Sequence, residues 1–138
     1  MLVENVVCNH ENPMKHWSTL RERYPDIRFV FDTKMAAFHE QLEWLYEEEY
    51  QWLWQEGHID HYHVNDYAGG YMDWANLKTL PIGKGKVDFD RFFSFVRKTG
   101  YQETYTVEAT AFDSTGVVDT QMLNGCFAAI RKFLEAEK

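Results

Sequence analysis

Apolar and polar positions along the chain switch repeatedly between the two-residue period of a strand and the three-to-four-residue period of a helix. "MLVENVVC" is a short run of Val and Leu that reads as a strand ending near Cys8. In "NHENP", Asn12 is placed to cap a helix and Pro13 fits its first turn, so a helix is predicted through "MKHWSTLRERY". "IRFVFD" is a second strand with Asp32 at its carboxyl end. The next stretch, "TKMAAFHEQLEWLYEEEYQWLWQEG", sets Leu42, Leu45, Tyr46, Tyr50 and Leu53 at helical spacing before a glycine stop, which predicts one long helix. A third strand is expected over 59–65, then a long Gly-containing loop. Asp88 is positioned to cap a helix that carries Phe89, Phe92, Phe93 and Val96 on one side. "ETYTVEAT" gives the fourth strand, and Val118, Met122, Cys126, Ile130 and Phe133 mark one face of a final amphipathic helix.

Strand followed by helix, four times over, predicts an α/β fold with a parallel sheet and a single domain over residues 1–138. In such sheets the chemistry sits at the carboxyl ends of the strands. The polar residues on or at the ends of the four strands are, in order, Glu4, Asp32, His63 and Glu108, separated by about one strand-helix unit each with a longer third interval. "IDHYHVNDYAGG" allows two readings. In one, Tyr62 and Val64 face a core and the polar residues face water. In the other, His63 is one of four ligands, one per strand. Three carboxylates and an imidazole suit a hard-to-borderline divalent ion, Mn²⁺, Mg²⁺, Co²⁺ or Zn²⁺, whereas a structural zinc site more often uses thiolates.

Composition narrows the classes. A hydrophobic share of 45% is that of a globular chain, and a net charge of −8, from 22 acidic against 14 basic residues, opposes binding to nucleic acid or anionic membrane. No apolar run reaches the roughly 18 residues of a membrane span, and the first residues lack a basic leader, so a soluble cytoplasmic protein is expected. Cys8 and Cys126 are too few and too distant for a disulfide framework and are read as reduced thiols.

Taken together, "LVENV", "FVFDTK", "HYHVND", "LPIGKGKVDFDRFF" and "YTVEA" resemble, in order and over essentially the whole chain, the carboxyl-terminal half of the xylose-isomerase-like sugar isomerase and epimerase family, which also contains the apurinic-site endonucleases. The resemblance implies the last four β/α units of a TIM (β/α)₈ barrel, a fold of about 250 residues when whole. Carried over by position, it makes Glu4, Asp32, His63 and Glu108 the metal ligands, with Glu4 and Glu108 the acid-base pair that moves a proton beside a sugar carbonyl. The substrate it implies is a sugar or sugar phosphate. Such a proton is transferable only when the developing enediolate charge is stabilised, which a divalent metal does as a Lewis acid. Carboxylates on opposite faces permit epimerisation, and one face alone favours isomerisation.

The chain departs from the family at two places. Where many members carry a histidine three residues after the aspartate, this one has Met35, preceded by Lys34. The Asp-x-His pair of the endonucleases is missing, because Asp73 is followed two residues later by Ala75. His10, Lys34 and Lys84 are candidates for substrate contact, or solvated loop residues. His61 is read as a structural or supporting histidine whose change to alanine alters metal binding little. Asp66 either orients His63 or closes the turn. "PIGKGK" lacks the spacing of a phosphate loop and is read as a loop at the active-site mouth. The aromatic Trp44, Trp52 and Trp54 are read as helix packing. A metal-dependent isomerase or epimerase is the leading function. The alternatives are a non-catalytic half barrel that retains a metal site and an endonuclease-like phosphodiester hydrolase. Four strands leave two edges and an inward face, expected to be apolar, which predicts a homodimer.

Overall fold

The computed structural model describes residues 1–6, 13–109 and 111–135. The expectations for Cys8, His10 and Asn12 lie outside them. Four strands, β1 (Leu2–Glu4), β2 (Arg28–Asp32), β3 (Ile59–Val64) and β4 (Thr104–Val107), form one sheet in the order β1-β2-β3-β4, every pair parallel. This is the α/β arrangement expected. The principal helices are α1 (Trp17–Arg23), α2 (Thr33–Phe38), α3 (Trp52–Gln55), α4 (Phe89–Lys98) and α5 (Thr120–Glu135).

Strand alternation separates two faces. Phe29 stacks on Trp17 of α1 with ring centroids 4.3 Å apart, and Phe31 meets Tyr62 at 5.9 Å and Phe92 of α4 at 6.4 Å. These rings, with Val64, Phe93 and Leu53, make the core between sheet and helices. The opposite face is not the apolar surface anticipated. It carries Arg28, His61, Thr104 and Thr106, which line an open cleft together with Asp60 and Glu103. The aromatic residues of "FVF" point to the helices, and of that triplet only Val30 has the opposite parity.

The predicted long helix after β2 is broken. Glu40 takes φ +54°, in the left-handed region, and ends α2 after one and a half turns. Two 3₁₀ turns, Glu43–Tyr46 and Glu48–Tyr50, precede the short α3. The physical reason is tertiary packing that a continuous rod would not allow. Gln41 is fully buried and accepts from the Met14 N–H, Trp44 stacks on Tyr50 at 5.5 Å, and Tyr46 and Trp54 both meet Phe95 edge-on, at 5.0 and 4.8 Å. In a continuous helix Glu43 and Glu47 would stand four residues apart on one face, a like-charge pair that lowers the helical drive further.

The other predicted elements form, with adjusted ends. Asp88 caps α4 through the Arg91 N–H at 3.0 Å. The final helix begins at Thr120, capped by Asp119 on the Met122 N–H at 2.9 Å. Val118 precedes it and bridges to Phe112. Cys126 is a buried free thiol on that helix.

Candidate functional site

Side chains two residues apart on a strand point to the same side, so His61 and His63 share the polar face of β3, with Asn65 just past its end, while Tyr62 and Val64 enter the core. Of the readings posed by "IDHYHVNDYAGG", the placing of Tyr62 and Val64 in a core holds, and the polar residues lie on the opposite face. In the register, His63 stands opposite Asp32 on β2 and Thr106 on β4, and Glu4 of β1 stands opposite Val30.

The four residues singled out in the sequence converge. One ligand atom from each of Glu4, Asp32, His63 and Glu108 lies within 4.8 Å of every other. His63 Nδ1 is at the centre, 2.8 Å from Glu4 Oε1, 3.7 Å from Glu108 Oε1 and 3.9 Å from Asp32 Oδ2. Three carboxylates drawn toward one imidazole nitrogen repel one another in the absence of a counter-charge, and hard oxygen donors with one nitrogen suit a divalent cation. The residues present therefore fit such an ion.

The three carboxylates differ in freedom. Asp32 is fully buried and fixed, with Oδ1 accepting the Met35 N–H at 2.7 Å and Oδ2 the Asn65 Nδ2 at 3.1 Å. Glu4 and Glu108 are more open, with side chains 27% and 51% exposed. Burial pushes the Asp32 carboxyl up to about 7, helped by the neighbouring Glu108, while the bonds from Met35 and Asn65 pull the other way.

The sign of the pH effect follows. A carboxyl raised from 3.8 to about 7 favours its neutral form in the metal-free fold, so that fold loses stability as pH rises through this window. A cation must displace the proton. Mn²⁺ affinity measured by titration calorimetry is expected to climb by up to about tenfold per pH unit below about 7 and to level off above it. A flat profile between pH 5 and 8 would show that burial does not hold a proton on Asp32 in that range.

Sequence reasoning missed two amides that hold the site together. Asn5, fully buried, clamps the Asp32 backbone: its Oδ1 accepts the Asp32 N–H at 2.7 Å and its Nδ2 donates to the Asp32 carbonyl at 3.0 Å. Asn65 donates from Nδ2 to both Asp32 Oδ2 and Glu108 Oε2, at 3.1 and 3.0 Å, and its Oδ1 accepts the Lys34 N–H at 3.0 Å. The available signal was parity, since Asn65 lies two residues beyond His63 on the same face.

The remaining candidates separate. His61 Nε2 lies 3.1 Å from His63 Nε2, in direct contact with the central ring. Asp66 does not serve His63. Its carboxylate instead accepts the backbone N–H groups of Tyr67, Gly83, Gly85 and Val87 at 2.8–3.2 Å, and so ties the end of β3 to the "PIGKGK" loop. Lys34 is buried, with Nζ donating to Thr79 Oγ1 at 2.8 Å, so it pins α2 to the same loop. Lys84 is exposed in the turn closed by its N–H on the Pro81 carbonyl.

No helix among the described residues is long and apolar enough to cross a membrane. No curated protein matches the chain significantly. Residues 2–122 match the family model described as xylose isomerase-like TIM barrel, the same segment that supplies all four strands and all four converging side chains. The parallel β/α succession, the site at the carboxyl ends of its strands and this match agree: the chain belongs to the xylose isomerase-like TIM barrel family.

Proposed function

We propose that the chain performs divalent-metal-dependent isomerisation or epimerisation of a sugar or sugar phosphate, moving a proton beside a carbonyl through an enediolate. The observation that carries this reading is the meeting of Glu4, Asp32, His63 and Glu108 within 4.8 Å at one end of the sheet. A divalent cation held by these four residues, when bound, supplies Lewis-acid stabilisation of the developing enediolate charge.

The protein groups divide the remaining work. Asp32, buried and bonded on both oxygens, is a fixed donor and has no freedom to shuttle protons. Glu108 is the most exposed of the three carboxylates, with Oε2 steadied by Asn65, and is placed to take a proton from substrate. Glu4, on the far edge strand with His63 between, is placed to work from the other side. The hydrolase alternative has less support. Asp73 is spent on its own turn, accepting from Ala75 N–H at 3.0 Å and from Asn76 Nδ2 at 2.8 Å.

The test is exchange of the substrate proton with solvent deuterium by the Mn²⁺-loaded chain over a ketose panel. Glu108→Gln is expected to keep metal affinity within about tenfold while lowering exchange by about a hundredfold or more. Undiminished exchange would remove Glu108 from acid-base duty. Bound metal with no exchange on any ketose would favour a non-catalytic site.

A further inference from the structure

We propose that Asp60 and His61 are positioning residues that fix the ring of His63, holding its Nδ1 toward the three carboxylates in the proton arrangement a cation requires. The starting observation is a β-bulge. Phe29 pairs with Ile59 and Val30 with His61, so Asp60 is one extra residue on β3 with no partner on β2. Bulges re-aim side chains, often beside active sites.

This bulge is fastened on both sides. The Asp60 carbonyl accepts from the Tyr101 hydroxyl at 3.1 Å, and the Ile59 carbonyl accepts from the Arg28 guanidinium at 3.4 Å. Both bulge carbonyls therefore have donors.

The consequence is a line of side chains. Arg28 Nη2 lies 3.7 Å from Asp60 Oδ1, Asp60 Oδ2 lies 3.2 Å from His61 Nδ1, and His61 Nε2 lies 3.1 Å from His63 Nε2. Proton placement then follows from donor and acceptor counting. The His63 nitrogen among the carboxylates is Nδ1, so binding a cation there needs a lone pair on Nδ1 and the ring proton on Nε2. That proton points at His61 Nε2, which must accept. His61 then carries its own proton on Nδ1, facing Asp60 Oδ2. In the metal-free chain the 2.8 Å bond from His63 Nδ1 to Glu4 Oε1 needs a proton on Nδ1, so a cation takes that proton's place; with it bound, each ring N–H meets one acceptor, and the line ends on Asp60 beside the Arg28 guanidinium. Partners of this kind set the tautomer of a ligating histidine, and their loss typically costs about 10- to 100-fold in metal affinity. His61→Ala therefore has a larger expected effect than the sequence alone suggested.

This inference rests on the metal-site reading of the cluster, and one experiment separates the two. Nitrogen-15 NMR of the imidazoles in the Zn²⁺-loaded chain is expected to show the proton of His63 on Nε2 and that of His61 on Nδ1. His61→Ala should weaken Zn²⁺ binding about 10- to 100-fold, and His61→Gln, whose amide oxygen can accept the same proton, should recover most of it. Asp60→Ala, which removes the acceptor of the His61 Nδ1 proton, should weaken Zn²⁺ binding in the same direction as His61→Ala and by less. Zinc bound with the His63 proton on Nδ1 would overturn the proposal alone, as would unchanged affinity in a folded His61→Ala chain. Absence of saturable zinc binding in the wild type would remove the metal-site reading and this proposal with it. The tautomer is read on the wild type, so the test stands even where a variant fails to fold.

Discussion

Changing His63 to alanine is expected to lower divalent-metal affinity by more than about a hundredfold, beyond the typical loss for a supporting partner. His63 is the only nitrogen donor among the four converging residues, and its Nδ1 lies within 3.9 Å of all three carboxylates. Without the ring, Glu4, Asp32 and Glu108 keep their mutual repulsion and lose the donor around which they gather. The imidazole is partly exposed, so water can enter the space and the fold should survive. Calorimetric titration with Mn²⁺ alongside a melting curve checks both halves. Retained affinity in a folded His63→Ala chain would show that the carboxylates alone hold the ion.

Gly85→Ala is the second large effect, on stability instead of binding. A Cβ at Gly85 would stand 2.3 Å from Asp66 Oδ1 and 2.4 Å from the Tyr67 carbonyl, with the Asp66 carboxyl carbon at 2.7 Å. Two of these neighbours are parts of a buried carboxylate that already accepts four backbone N–H groups, so it cannot step aside without breaking them. Overpacking together with loss of charge-assisted hydrogen bonds predicts a cost of about 3 kcal/mol or more, a fall in melting temperature of roughly 10 °C. Gly83 provides the contrast. A Cβ there meets nothing within 4 Å, and φ of +81° limits the penalty of Gly83→Ala to about 1–2 kcal/mol of backbone strain. Equal melting temperatures for the two variants would contradict this assignment of the loop's glycines.

The contrast between these two residues shows where the sequence is readable. Glu4, Asp32, His63 and Glu108 could be found because strand ends recur with each β/α unit and the residue types share one chemistry. Asn5 could not, because an amide announces a role only when its partners are known, and Asn65 had only its parity with His63 to mark it. The loop "PIGKGK" reads as a glycine-dependent loop at the mouth of the site, but what requires its second glycine is the approach of Asp66, a contact across nineteen residues that no local pattern encodes. The stretch from Thr33 to Gly57 misled for the opposite reason. Its apolar spacing is helical, but Gln41, Trp44 and Trp54 each find tertiary partners that a continuous helix would forgo. The polar inward face was hidden by the same limit. "FVF" looks uniformly apolar, while strand parity turns both phenylalanines toward the helices.

The most direct test of the site is a Mn²⁺ titration of the unmodified chain, followed by calorimetry at pH 8, where Asp32 is ionised. Saturable uptake of one ion per chain, with protons released when the titration is repeated near pH 6, is the expected result. No saturable uptake at either pH would show that the four side chains meet for some purpose other than holding a metal.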